Sequence, residues 1–148
     1  ILKEDFVILD LKSRDKRGVL TELSEFLEEK KAVQNKKILF DSLMERESLG
    51  STGIGDNVAI PHAKSDEAEN IVTVFGRSLK GIDFESLDQK PVHFVCLLIA
   101  PSNSTGIHLK ALARISRLFK NQILRDKVLL AEDVAKIYSL LSDEDSTI

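Results

Sequence analysis

The spacing of apolar residues changes several times along the 148 positions of this chain, and each change predicts an element. Phe6-Val7-Ile8-Leu9-Asp10-Leu11 is a short run rich in branched residues and followed by polar ones, which predicts a buried strand. From Arg17 onward Leu20, Leu23, Phe26 and Leu27 recur at helical intervals, with Glu22, Glu25, Glu28 and Glu29 on the other side, so this stretch is a surface helix. A second helix is predicted over residues 35–47, where Leu39, Phe40, Leu43 and Met44 group on one side. It stops where glycines begin: residues 50–57 read as a loop, and Val58-Ala59-Ile60-Pro61-His62 as a short strand after it. Further strands are predicted at residues 71–75 and 92–100. The latter is almost continuously apolar, as in a strand covered on both faces, which places it at the centre of a sheet.

After a polar loop at residues 101–106, His108, Ala111, Leu112, Ile115, Leu118 and Phe119 keep a helical period, so a helix is expected to open at His108. Helical patterns return at residues 124–129 and at Val134, Ile137, Tyr138 and Leu141, before an acidic stretch at residues 142–145 that is expected to fray. Strands interspersed with helices, without internal repeat or linker, predict an α/β fold: a single-domain sandwich over residues 1–148, with a mixed β-sheet flanked by helices.

Composition narrows the function. With 43% hydrophobic and 30% charged residues the chain has the makeup of a globular protein, and a net charge of −3 offers no overall positive field for nucleic acid. No apolar run approaches the ~20 residues of a membrane-spanning helix, so no direct membrane insertion is expected. The lone Cys96 excludes an intrachain disulfide and a cysteine metal cluster, and a core thiol is the simplest reading of its position among Phe94, Val95, Leu97 and Leu98. For a chain with this single cysteine the reducing cytoplasm is the simplest setting, and the start of the sequence carries no evidence on targeting either way.

The candidate chemistry lies between residues 46 and 62. Gly50, Gly53 and Gly55, with Ser51 and Thr52 among them, suit a backbone that turns sharply and aims N–H groups at an anion. A nucleotide loop of the Walker type is excluded, because Asp56 and Asn57 follow the last glycine where a lysine is required. His62 follows Pro61, whose fixed φ and missing N–H stiffen the chain and argue against a place inside a central ladder. A neutral imidazole is nucleophilic near pH 7, and one ring nitrogen can be held by a carbonyl while the other reacts.

The full stretch Arg46-Glu47-Ser48-Leu49-Gly50-Ser51-Thr52-Gly53-Ile54-Gly55-Asp56-Asn57-Val58-Ala59-Ile60-Pro61-His62-Ala63 closely resembles the active-site signature of the phosphotransferase-system enzyme IIA family, of the fructose, mannitol and nitrogen-regulatory class. The order of elements matches along essentially the whole chain. The resemblance implies a phosphotransferase component working through a phosphohistidine, with His62 as phosphoryl acceptor, Arg46 as anion-binding residue and His108 as neighbour of the acceptor. Ser51, Thr52, Gly53 and Gly55 are expected to bind the phosphoryl group, with no metal and no cofactor. The implied donor is an HPr-type phosphocarrier or its nitrogen-pathway counterpart. The implied acceptor is an enzyme IIB, in sugar uptake, or else regulatory target proteins read the phosphorylation state. Asn57 departs from the glycine common in that family, and asparagine is the side chain best able to keep a left-handed turn.

Arg46 supplies a planar fork for phosphoryl oxygens, whereas a plain surface role would pair it with Glu47 or Asp41. Ile54, Val58 and Ile60 are candidates for an apolar docking ring around the histidine. His93 receives no function, and Lys110, Arg114 and Arg117 form a basic helix face of solvated surface that an acidic partner could also meet. The competing reading from another class is a zinc-dependent hydrolase built on His62 and His108 with Glu47 or Asp66. No HExxH pair supports it.

Overall fold

A computed structural model describes residues 1–148. A short 3-10 turn at Glu4–Phe6 leads into β1 (Val7–Ile8), followed by helices α1 (Lys16–Glu29) and α2 (Lys36–Ser48). Next come three short strands, β2 (Gly53–Gly55), β3 (Val58–Ala59) and β4 (His62–Lys64). The long strands β5 (Val72–Ile82) and β6 (Val92–Ala100) precede the helices α3 (Thr105–Phe119), α4 (Gln122–Leu130) and α5 (Val134–Glu144). The six strands form one mixed sheet in the order β1-β5-β6-β3-β2, with β4 also paired to β6. As the apolar run predicts, β6 is central, antiparallel to β5 and parallel to β3 and β4.

Each face of the sheet carries its own core. Leu20, Leu23 and Leu27 of α1 and Leu39 and Leu43 of α2 pack against Ala59, Val74, Val95 and Leu97. On the opposite face Ile115 and Phe119 of α3, Val128 of α4 and Ile137 of α5 meet Phe75, Phe94, Cys96 and Leu98. Phe75 and Phe119 stack with centroids 5.5 Å apart. Each fully buried aliphatic or aromatic side chain in these layers stabilises the sandwich by about 1.5–3 kcal/mol. The predicted class, a mixed sheet flanked by helices, is the one observed.

Several boundaries differ from the sequence expectation, each for a physical reason. The strand expected at residues 71–75 runs on to Ile82. Arg77 does not end it, because its buried guanidinium reaches under α4 and donates from Nη1 to the carbonyls of Val128 (3.1 Å) and Ala131 (2.5 Å). The first predicted strand shrinks to Val7–Ile8, its beginning taken by the 3-10 turn. Helix α3 starts at Thr105, not at His108, because its first residues, Ile107 among them, face outward and lie off the apolar stripe. The acidic stretch expected to fray is helical through Glu144, and Asp145 is held by Arg114 (3.3 Å) and by the Thr147 hydroxyl (2.7 Å). Arg114 is thereby committed within the chain and is not part of a free basic face.

The stretch expected as a loop, residues 50–57, instead contains one arm of a hairpin: β2 pairs antiparallel with β3. The turn between them places Asp56 (φ 56°) and Asn57 (φ 65°) in the left-handed region, the pattern that matches the twist of a two-residue hairpin. Asn57 thus keeps the turn as expected, and its side-chain amide donates to the Pro91 carbonyl at 2.7 Å.

Candidate active site

The site forms where the end of α2, the strand pair β3–β4 and the start of α3 converge. Asn35 caps α2 by accepting from the N–H groups of Lys37 (2.9 Å) and Ile38 (3.2 Å), which sets the helix that carries Arg46 in its last turn. β3 and β4 keep one register along β6, Val58 opposite Phe94 and His62 opposite Leu98, across the break at Ile60-Pro61. Proline expels this segment from the ladder only locally. Pro61 has no N–H to give, yet its carbonyl accepts from Leu98 N–H at 2.9 Å, so the strand resumes at once. His62 therefore opens β4 rather than ending a strand.

Two contacts set the tautomer of His62. Nδ1 lies 2.8 Å from the Ile60 carbonyl oxygen, an acceptor only, so Nδ1 carries the proton. Nε2 receives the Arg46 Nε–H at 3.2 Å, and arginine can only donate, so Nε2 holds a lone pair. Arg46 Nη1 donates to the Gly50 carbonyl at 3.0 Å, which fixes the plane of the guanidinium beside the histidine. The His62 pKa lies below 6.5, first because partial burial penalises the cation and then because Arg46 repels it, against the Ile60 hydrogen bond and Glu47, which favour the charged form. His108 stands 5.6 Å away, ring centroid to ring centroid, at 69°. It is 4% exposed, and neither of its ring nitrogens has a hydrogen-bond partner. Burial, then His62 and Lys64, hold its pKa down as well. Around these groups lies an open depression lined among others by Leu49, Lys64, Leu109 and Leu112.

Arg46, His62 and His108 are thus brought together. The loop groups are not aimed at Nε2 in the way the sequence suggests. The Ser51 hydroxyl donates to the Phe84 carbonyl (3.0 Å) and accepts from Gly53 N–H (3.1 Å). Thr52 gives its N–H (3.0 Å) and its hydroxyl to the Glu47 carboxylate. The hydroxyls of Ser51 and Thr52 and the amides of Thr52 and Gly53 are therefore spent inside the protein, and Gly53 lacks a side chain because a Cβ there would collide with Ser86 Oγ. Gly55 takes φ 95° at the hairpin end and serves the turn. Arg46 pairs with neither Glu47 nor Asp41, which are bound by Lys16 (3.2 Å) and Lys37 (3.1 Å).

The apolar ring also differs. Val58 and Ile60 are buried in the core, and the exposed apolar side chains in the depression are Leu49 (81%) and Leu109 (62%), while Ile54 is exposed on β2. Lys64 joins the site without having been expected there, although its place two residues beyond His62 puts it on the same face of the strand; its Nζ reaches Thr105 Oγ1 of α3 at 3.0 Å. His93 donates from Nδ1 to the Ser78 carbonyl at 2.7 Å and has a structural use. The zinc reading fails on its ligands: Asp66 is occupied by the Ser102 N–H (3.0 Å) and hydroxyl (2.8 Å), Glu47 by Lys16 and Thr52, and no group of metal-binding side chains exists. No helix is long and apolar enough to cross a membrane.

The candidate site on this sandwich is a histidine with a fixed tautomer beside an arginine. Residues 1–144 match the family described as the phosphoenolpyruvate-dependent sugar phosphotransferase system, EIIA 2, and the chain belongs to that family. It is 40% identical over 142 residues to a nitrogen regulatory protein of Bradyrhizobium diazoefficiens, covering 96% of this chain and 92% of the relative. It is 34% identical over 145 residues to a fructose-specific EIIABC component of Bacillus subtilis, covering 98% of this chain and 23% of that longer protein. Among solved structures, the nitrogen regulatory protein IIA-Ntr of Neisseria meningitidis superposes with a TM-score of 0.88 at 29% identity, covering 95% of this chain and 96% of the other. The fold is shared, at 18% identity and a TM-score of 0.82, with the Escherichia coli mannitol IIA solved in complex with phosphorylated enzyme IIB, over 97% of this chain and 98% of the other.

Proposed function

We propose that this protein carries a phosphoryl group on Nε2 of His62, received from the phosphohistidine of an HPr-type carrier. The observation that carries the reading is the pair of opposed contacts on one ring: Nδ1–H bonded to the Ile60 carbonyl, and Nε2 facing the Arg46 guanidinium. In the transfer, the Nε2 lone pair attacks phosphorus in line. The donor's P–N bond breaks, and its electron pair returns to the donor imidazole. The proton on Nδ1 stays with His62, and the Ile60 oxygen stabilises the positive charge that develops on the ring. Arg46 offers its N–H groups to the equatorial oxygens as they pass, and the work is positioning plus charge stabilisation. The unpartnered nitrogens of His108 supply a further donor at short range for the bound phosphoryl. Ser51, Thr52, Gly53 and Gly55 act indirectly, by shaping the turn that holds Arg46 and Ile60.

Onward transfer goes to an enzyme IIB, or the phosphorylation state is read by regulatory targets. The 40% identity to a nitrogen regulatory protein favours the regulatory use. The test is incubation with phosphoenolpyruvate, enzyme I and HPr. One phosphoryl is added, acid-labile and base-stable as a phosphoramidate is, and His62→Gln abolishes it. Labelling by ATP alone, or an acid-stable adduct on Ser51 or Thr52, overturns the assignment. A IIB protein that takes the phosphoryl from the labelled chain establishes transport chemistry; a phosphorylation-dependent complex with no transfer establishes regulation.

A further inference from the structure

We propose that Lys16, Glu47 and Thr52 form a buried clamp that positions both Arg46 and His62 for phosphoryl transfer, an inference that rests on the assignment of His62 as acceptor. All three are deeply buried, Lys16 9%, Glu47 6% and Thr52 3% exposed. Lys16 is charged and so does not stand out as a core residue, yet it lies four residues before Leu20 and falls on the apolar stripe of α1. Its ammonium lies 3.2 Å from Glu47 Oε1 and 5.2 Å above the Phe84 ring, and its backbone N–H donates to the Asp83 carbonyl at 2.9 Å. The Glu47 carboxylate also accepts the Thr52 N–H on Oε1 (3.0 Å) and the Thr52 hydroxyl on Oε2. Both carboxylate oxygens are used, so the charge is paired and hydrogen-bonded, the condition under which a buried carboxylate is tolerated.

Two arms leave this clamp and reach the two sides of the His62 ring. One runs through the helix end: Glu47 follows Arg46 directly, its carbonyl accepts the Gly50 N–H at 3.0 Å, and the Gly50 carbonyl holds Arg46 Nη1 at 3.0 Å. The other runs through the strand: the Thr52 carbonyl accepts the Ile60 N–H at 3.0 Å, and the Ile60 carbonyl holds His62 Nδ1 at 2.8 Å. The same carboxylate therefore fixes where the anion-binding side chain points and where the nucleophile's ring is anchored. Loosening it moves both ends of the Arg46–His62 contact independently. Misplacement of reacting groups by an ångström costs on the order of 100-fold in rate, so a clamp outside the reacting shell can control turnover. Lys16 supplies the counter-charge to the Glu47 carboxylate from α1. Lys16, Glu47 and Thr52 are positioning residues; none approaches the phosphoryl.

The experiment compares wild type, Glu47→Gln, Lys16→Met, Thr52→Val and Thr52→Ser in phosphoryl acceptance from phosphorylated HPr, with NMR of the His62 ring nitrogens. Thr52→Val keeps the shape and the amide bond and removes only the hydroxyl contact. It is expected to lower kcat about tenfold while the KM for the donor stays within about twofold, since docking is untouched. Thr52→Ser restores the hydroxyl and is expected to return kcat to within about twofold of wild type. The His62 nitrogen signals should move from a pure Nδ1–H tautomer toward a mixture in Thr52→Val and Glu47→Gln, and in the same direction in Lys16→Met. A folded Thr52→Val or Glu47→Gln with wild-type kcat and unmoved ring nitrogens overturns the clamp. Should Glu47→Gln fail to fold, Thr52→Val decides. Wild type that accepts no phosphoryl at all refutes the acceptor assignment instead, and the ring-nitrogen signals still report whether the clamp sets the tautomer.

Discussion

Arg46→Ala separates the chemistry of the site from its fold. The guanidinium is partly exposed and makes two hydrogen bonds, to His62 Nε2 at 3.2 Å and to the Gly50 carbonyl at 3.0 Å, so its removal opens no core cavity and leaves no deeply buried charge. In the proposed transfer it is a charged donor to a charged phosphoryl, an interaction of roughly 1.5–3 kcal/mol net. At about 1.4 kcal/mol per decade this slows acceptance by roughly one to two orders of magnitude. The pH profile must change as well. Arg46 is one of the two causes that lower the His62 pKa, the larger being burial, so the variant's imidazole titrates at higher pH than the wild type's while staying subject to the same desolvation. In wild type the neutral nucleophile persists as pH falls through 6.5, and acceptance declines only below that. In the variant the decline begins at higher pH. Quenched-flow mass spectrometry over pH 5–8, together with an NMR titration of the ring, measures both. An Arg46→Ala protein with unchanged kcat, or with a His62 pKa below that of wild type, refutes the reasoning.

Other parts of the structure set further expected outcomes. His108→Gln should still accept the phosphoryl, because the nucleophile is on the other ring, but should hold it less well; mass spectrometry that places the adduct on His108 in wild type would refute this. The lowered His62 and His108 pKa values also mean that below pH 6.5 the unfolded chain binds protons the folded chain refuses, so stability to urea should fall as pH drops through that range, and less so in His62→Gln. Arg77→Met strips the donors from the Val128 and Ala131 carbonyls at the end of α4 and should cost roughly 1–3 kcal/mol for each buried acceptor left bare, read as a lower urea midpoint. Burial pushes the Cys96 thiol up to about 12, so it should resist alkylation in native protein at pH 8 and react once the chain is unfolded.

Much of this molecule was legible in one dimension, because the signals were local. The apolar run of β6 announced a central strand, the stripes of α1 and α2 announced one layer of the sandwich, and the stretch from Arg46 to Ala63 pointed to the candidate site. Asn57 was readable too, since its tolerance for a left-handed turn is a property of the side chain alone. What the chain could not reveal by itself was the direction of individual side chains and the state of buried charges. Whether Ser51 and Thr52 point at a phosphoryl or into the protein depends on Phe84, far off in sequence, and on Glu47, whose own charge is balanced by Lys16 from another helix. The strand expected to stop at Phe75 runs on through Arg77 because the carbonyls of α4 are there to receive its guanidinium. Tertiary structure decided these matters because hydrogen bonds require partners at about 3 Å with proper alignment, and only the folded chain brings such distant groups together.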